Sequence, residues 1–178
     1  MGKKIRLFIS SSRELEGERE IVGQVVAELP VSRGWEIRHT AHAGETLASL
    51  REAIEKADLY LIILGRDASA PIGSEWEFAR QMKKPTLAYR KDVNYSPSAQ
   101  YFLRISKVEW RAFKDLEEFR KDLAKAIAQE LLDLKNRYGL LPEDVEKLIQ
   151  FLEEIEKREK GPSLKGHGAG ESGVILGR

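Results

Sequence analysis

Two short segments carry much of the polar chemistry in this chain of 178 residues. Ser10-Ser11-Ser12-Arg13 follows the apolar run Ile5–Ile9, and Gly65-Arg66-Asp67 follows the run from Asp58 to Leu64. Three consecutive hydroxyls with flanking guanidiniums suit a ribose or a phosphate. If the serines also open a helix, its free N–H groups and positive dipole end favour an anion there. Ser11 or Ser12 can equally serve only as that helix's N-cap. A third segment, Gly73-Ser74-Glu75-Trp76-Glu77-Phe78-Ala79, reads as the start of another helix. With Ser74 as N-cap, Glu75 falls in the first turn at a crevice rim. The dipole favours a carboxylate there by roughly 0.3–1 kcal/mol. Glu75 therefore reads either as a helix-starting acid or as a catalytic group. Trp76 beside it suits the wall of a pocket for a ring, or the core, and Glu77 is expected on the exposed side.

Composition removes whole classes of chemistry. There is no cysteine, so thiolate nucleophiles, thiolate metal sites and disulfides are out. The three histidines, His39, His42 and His167, have no metal-ligand spacing, and no metal or cofactor is expected. Neither phosphate-loop nor dinucleotide glycine pattern follows the first apolar run, and no GxSxG elbow is present. Lys and Arg number 30 against 29 Asp and Glu, a balance that disfavours nucleic acid as partner. No apolar stretch approaches the roughly 18 residues of a membrane span, and no leader pattern is visible. The expectation is a soluble, cytoplasmic protein.

The positioning elements follow from periodicity. Short apolar runs at Ile5–Ile9, Trp35–His39, Asp58–Leu64 and Pro85–Tyr89 read as strands, with Lys107–Trp110 a short fifth. Helical spacing runs from Arg13 to Leu29, stopped by Pro30. It returns after Gly44-Glu45-Thr46 with Leu47, Leu50 and Ile54, and again from about Ser74 to Met82. Asp92 to Gln100 reads as an excursion. Alternating strands and helices predict a flavodoxin-like or Rossmann-like three-layer fold on a parallel sheet of four to five strands. In a flavodoxin-like order the ligand crevice lies between the first and third strands, where Ser10–Arg13 and Gly65–Asp67 both end.

Beyond residue 112 the character changes. Leu116, Phe119, Leu123, Ile127, Leu131 and Leu134 predict one long helix ending near Tyr138-Gly139. Pro142 opens a second, with Val145, Leu148, Leu152 and Ile155 on one stripe that either packs on the first helix or forms a dimer seam. Six of the fourteen glycines fall in the last eighteen residues, which reads as a flexible tail. The expected organisation is an α/β domain over 1–112, a helical pair over 113–160 and a tail over 161–178.

Several stretches together resemble a known family. They are Ile5 to Ser12, Glu18-Arg19, Ile54 to Gly65, Ser74 to Ala79, and Lys84-Pro85. The order and spacing, over roughly residues 3 to 112, resemble a domain family of unknown function. It is found at the N-termini of prokaryotic signalling and defence proteins, in the wider group of TIR domains and nucleoside 2-deoxyribosyltransferases. The resemblance implies cleavage or exchange of an N-glycosidic bond in NAD or a nucleoside, with a glutamate in a Glu-x-x-x-Ala motif followed by Lys-Pro. Glu75 to Ala79 and Lys84-Pro85 match, so the resemblance makes Glu75 the catalytic position, with Asp67 the nearest counterpart of the aspartate that transferases place by the base. His39 to Leu47, including His42, lies where TIR domains carry a gating and assembly loop.

Two readings result. In the first, the domain hydrolyses or transfers an N-glycosidic bond in NAD or a related nucleoside or nucleotide. Glu75 acts at the sugar, Ser10, Ser11, Ser12 and Arg13 hold ribose or phosphate, and Gly65, Arg66, Asp67, Ser74 and Trp76 complete the pocket. In the second, the chain is a non-catalytic nucleotide-binding or scaffold module that uses its C-terminal helices as contact surface, including for self-association.

Overall fold

The computed structural model describes residues 4–40 and 44–161, with Ala70 described in its backbone alone. His42, His167 and the glycine-rich tail expected from 161 lie outside the described residues, apart from Gly161.

Five strands, β1 (Ile5–Ser11), β2 (Trp35–His39), β3 (Leu59–Leu64), β4 (Thr86–Lys91) and β5 (Arg111–Phe113), form one parallel sheet in the order β2-β1-β3-β4-β5. This is the flavodoxin-like order, and the three-layer α/β expectation holds. The switch point falls between β1 and β3, which pair from Leu7↔Leu59 to Ser11↔Ile63. Strand period decides which side chains face which layer. Ile5, Leu7, Ile9, Leu61, Ile63 and Tyr89 face α1 (Glu16–Glu28) and α5 (Leu116–Leu131). Phe8, Tyr60, Ile62, Leu64 and Ala88 face α2 (Leu47–Lys56), α3 (Ala70–Gln81) and α4 (Pro97–Ile105). All six residues of β3 are buried, as a central strand covered on both faces requires.

The structure moves several boundaries. Helix α3 begins four residues before Ser74, because Pro71 is accommodated in its first turn. The excursion at 92–100 runs into α4, where Ser96 accepts the Ala99 N–H at 3.1 Å and Pro97 opens the helix. The fifth strand lies beyond Lys107–Trp110. Lys107 turns the chain with φ 51°, and Trp110 donates its ring N–H to Ser106 Oγ at 3.0 Å, so this segment packs on α4 instead of pairing. Helix α5 stops at Leu131, where Asp133 accepts the Lys135 N–H at 3.1 Å and forms a turn, which leaves Leu134 fully exposed.

Helix α6 (Pro142–Lys160) packs against α5. Leu148 is 0 % exposed, and Val145, Phe151 and Leu152 lie partly buried against the same cluster. Asp144 in its first turn is buried and accepts the Ser32 N–H at 2.7 Å and the Ser32 hydroxyl at 2.9 Å. Much of the expected stripe is thus taken up inside the chain.

Candidate functional site

Strand β1 ends in three buried serines whose hydroxyls go three ways. Period two turns Ser10 toward α3, where its hydroxyl donates to Glu75 Oε2. Ser11, facing α1, accepts from Arg19 Nη1 at 3.1 Å. The Ser12 hydroxyl donates to the Asp67 carbonyl at 2.8 Å and accepts the Gly65 N–H at 3.1 Å, stitching the ends of β1 and β3 together. None of them caps α1, where Leu15 occupies the cap position with no side-chain hydrogen bond. The simple capping alternative is therefore set aside.

Glu75 lies inside α3, not in its first turn at a rim, and is 0 % exposed. Ser69 takes the cap position, so Ser74 is an interior helical residue, half-buried beside Glu75. Ile72, Glu75 and Ala79 share the buried stripe at helical spacing. Glu77 falls on the other side, where Arg80 Nη2 at 2.7 Å and Gln81 Nε2 at 2.9 Å bind its carboxylate and hold it below the ordinary range.

A second hydroxyl reaches Glu75 from Thr40, the residue just after β2. Thr40 Oγ1 lies 3.1 Å from Glu75 Oε2 and 3.4 Å from the Ile9 carbonyl, and it accepts the Ser11 N–H at 2.9 Å. Its single proton goes to the nearer oxygen, that of Glu75. Sequence reading missed Thr40, because only the β1–β2 register brings it beside β1. Tyr60 closes the floor. Its ring stacks on Phe8 at 5.9 Å and lies 6.3 Å from Trp76. The hydroxyl is buried near Ser10 without hydrogen-bond geometry to any partner. Burial pushes the phenol's pKa well above its ordinary value; the Ser10 hydroxyl opposes the shift and the Glu75 charge adds to it. The phenol is therefore neutral.

Around this core the loops are tied into one rim. Arg19 also donates Nη1 to the Ser12 carbonyl at 3.1 Å and Nη2 to the Arg13 carbonyl at 3.3 Å. Beside it Glu18, 2 % exposed, pairs with Lys91 at 2.7 Å and fastens α1 to the end of β4. Gly65 lets the backbone approach closely, since a Cβ there would meet the Glu14 carboxylate and the Leu15 side chain. The Arg66 N–H donates to Glu14 Oε1 at 2.8 Å. Asp67 accepts its neighbour Ala68's N–H at 3.0 Å and the Ser96 hydroxyl, so its carboxylate is occupied with holding the loops after β3 and β4.

Two matched positions sit elsewhere. Trp76 turns toward α4 and lines a groove of about 530 Å³ with Phe102, Ile105 and Arg80. Lys84 donates to the Ala57 carbonyl at 2.8 Å at the end of α2, and burial lowers its pKa although Asp58 and Glu55 oppose this. Asp58 itself accepts the Arg6 N–H at 2.9 Å at the start of β3. Among the described residues no group of His, Asp and Glu has the arrangement of a metal site, and no helix is long and apolar enough to cross a membrane.

Fold and site together define a flavodoxin-like α/β domain with a buried, hydroxyl-bound carboxylate at its switch point. The chain belongs to the family described as domain of unknown function DUF4062, whose model matches residues 6–131. No curated protein matches it. Among solved structures it is similar to the CMP N-glycosidase BcmB of Clostridium botulinum. That likeness has 20% identity, 66% coverage of this chain, 96% of the other, and a TM-score of 0.46.

Proposed function

We propose that this domain cleaves or transfers an N-glycosidic bond in NAD or a nucleoside or nucleotide, with Glu75 at the reacting sugar carbon. The observation that carries this reading is the Glu75 carboxylate, wholly buried at the β1–β3 switch point and held by the Ser10 and Thr40 hydroxyls. An ionisable group placed where α/β sheets bind ligands, and held there by two hydroxyls, has the features of a working carboxylate.

The chemistry is that of sugar transfer. As the C1′–N bond breaks, its electron pair leaves with the base and positive charge develops on C1′ and the ring oxygen. A carboxylate beside C1′ stabilises that charge, or bonds to it until water or a second base arrives. Burial strengthens the attraction, because little water screens it. Hydrolysis is completed when water bonds to C1′ and the departing base takes up a proton. The Glu75-x-x-x-Ala79 and Lys84-Pro85 matches support the kinship with TIR domains and deoxyribosyltransferases, while Lys84 serves α2 and not the reacting centre.

Incubation of the concentrated protein with NAD, nucleosides and nucleoside monophosphates, followed chromatographically for free base, tests the reading. Base released by the parent and lost with Glu75→Gln is expected. No release from any substrate, in a folded protein, refutes it.

A further inference from the structure

The ion pairs are distributed unevenly. Arg6, Arg38, Arg80, Arg111, Arg120, Arg137 and Arg158 each pair with a carboxylate, and all lie away from the switch point. Among the described residues, Arg13, Arg19, Arg51, Arg66, Arg90 and Arg104 have no ion-paired carboxylate; Arg51 stands on α2 and Arg104 on α4, whereas the other four stand at the carboxyl ends of the strands or at the start of α1, around the switch point. Arg13 follows β1, Arg19 stands in the first turn of α1, Arg66 follows β3, and Arg90 is the next-to-last residue of β4, opposite Leu64.

The surrounding acids do not supply the missing partners. Glu14 is taken by the Arg66 N–H, Asp67 by Ala68 and Ser96, Glu18 by Lys91 and Glu75 by two hydroxyls. The backbone around the arginines is fixed: Ser12 joins the first loop to the second, and the Ser96 N–H binds the Arg66 carbonyl at 2.8 Å, joining the second to the third. Arg19 spends three N–H groups on Ser11, Ser12 and Arg13, which leaves two of its five donors. Arg90 Nη1 reaches only the Tyr95 hydroxyl, at 3.4 Å.

We infer that this rim binds a phosphate group, so that the substrate is a phosphorylated nucleoside rather than a free one. A planar guanidinium matches phosphate oxygens two at a time, and such bonds are charge-assisted. Rim arginines anchoring the phosphate would leave the N-glycosidic bond to reach inward toward Glu75. The inference rests on the proposed function for the reacting end of the substrate, but its test requires no turnover.

Calorimetric titration of the full chain with the four common nucleoside 5′-monophosphates, the matching nucleosides and inorganic pyrophosphate decides it. At least one monophosphate should bind about tenfold or more tightly than its nucleoside, in keeping with hydrogen bonds to a charged group. That advantage should collapse in Arg66→Gln and in Arg90→Gln, both checked for an unchanged melting temperature. Arg19→Lys serves as a second probe that keeps charge but removes the fork. Equal binding of nucleoside and monophosphate, no binding of either, or an advantage that survives all three variants overturns the inference. Pyrophosphate binding without preference for any nucleotide also overturns it, since that marks a bare anion site. Monophosphate binding that depends on the arginines, with no base released, keeps the inference and defeats the hydrolytic reading alone.

Discussion

Ser10 donates its hydroxyl proton to Glu75 across 65 residues of sequence, joining the end of β1 to the middle of α3 at the point where the strand order reverses. Thr40, just beyond β2, adds a second donor to the same oxygen, so three parts of the chain meet at one buried carboxyl group.

That convergence sets the cost of removing the carboxylate. Glu75→Ala strands two hydroxyls in a buried setting and should cost about 1–3 kcal/mol. Glu75→Gln retains an oxygen acceptor and should cost less than half of that. Denaturant unfolding of both variants checks the order. Thr40→Val should approach the alanine value, because it leaves the Ser11 N–H unpaired as well. Equal stability of all three variants and the parent would mean that the network does not hold the fold.

Tyr60 gives the opposite expectation. Its hydroxyl is buried beside Ser10 without good hydrogen-bond geometry among the described residues, while its ring does the packing on Phe8 and Trp76. Tyr60→Phe keeps the ring and removes an unsatisfied polar group, so thermal unfolding should shift upward or stay in place, by about 0–2 kcal/mol. A clear loss of stability would show that the hydroxyl is bonded in solution.

Asp144 supplies a pH dependence. Burial raises its pKa, but the Ser32 N–H, the Ser32 hydroxyl and the Leu141 N–H outweigh that and leave it below the ordinary value. A carboxyl lowered in the folded state contributes stability above its unfolded pKa, about 3.9. That contribution fades as pH falls through the lower folded value. Asp144→Asn should therefore be destabilised by about 1–3 kcal/mol at pH 7. The gap to the parent should narrow below pH about 4. Unfolding curves measured from neutral to acid pH test this, and a gap that widens on acidification contradicts it.

Local signals carry most of the fold. The unbroken apolar run of β3 and the alternation of β2 can be read directly, as can the Thr46 cap, which accepts the Ser49 N–H at 3.2 Å. The start of α3 and the whole of α4 each have a Ser with a proline one or two residues on, at Ser69-Ala70-Pro71 and Ser96-Pro97. Those signals compete with a second cap-like serine at Ser74 and with the polar composition of 92–100, and only the packing of each helix on the sheet decides between them. The site is legible only in part. Glu75 and the serines stand out by type, but the depth of Glu75 depends on where α3 begins. Thr40 and Arg19 acquire their roles from contacts that no local pattern encodes.

The family match ends at residue 131, yet the fold relies on the segment beyond it. Asp144 grips Ser32, and Arg33 Nε binds the Gly139 carbonyl at 2.9 Å, just ahead of β2. Leu148 fills a place in the core that α1 and α5 leave open. The extension thus works as a buckle: its two ends lie far apart in sequence, and fastening them holds the β2 side of the sheet. Cutting the chain at residue 131 would uncover the core surface around Leu148 and leave Ser32 and Arg33 without these partners.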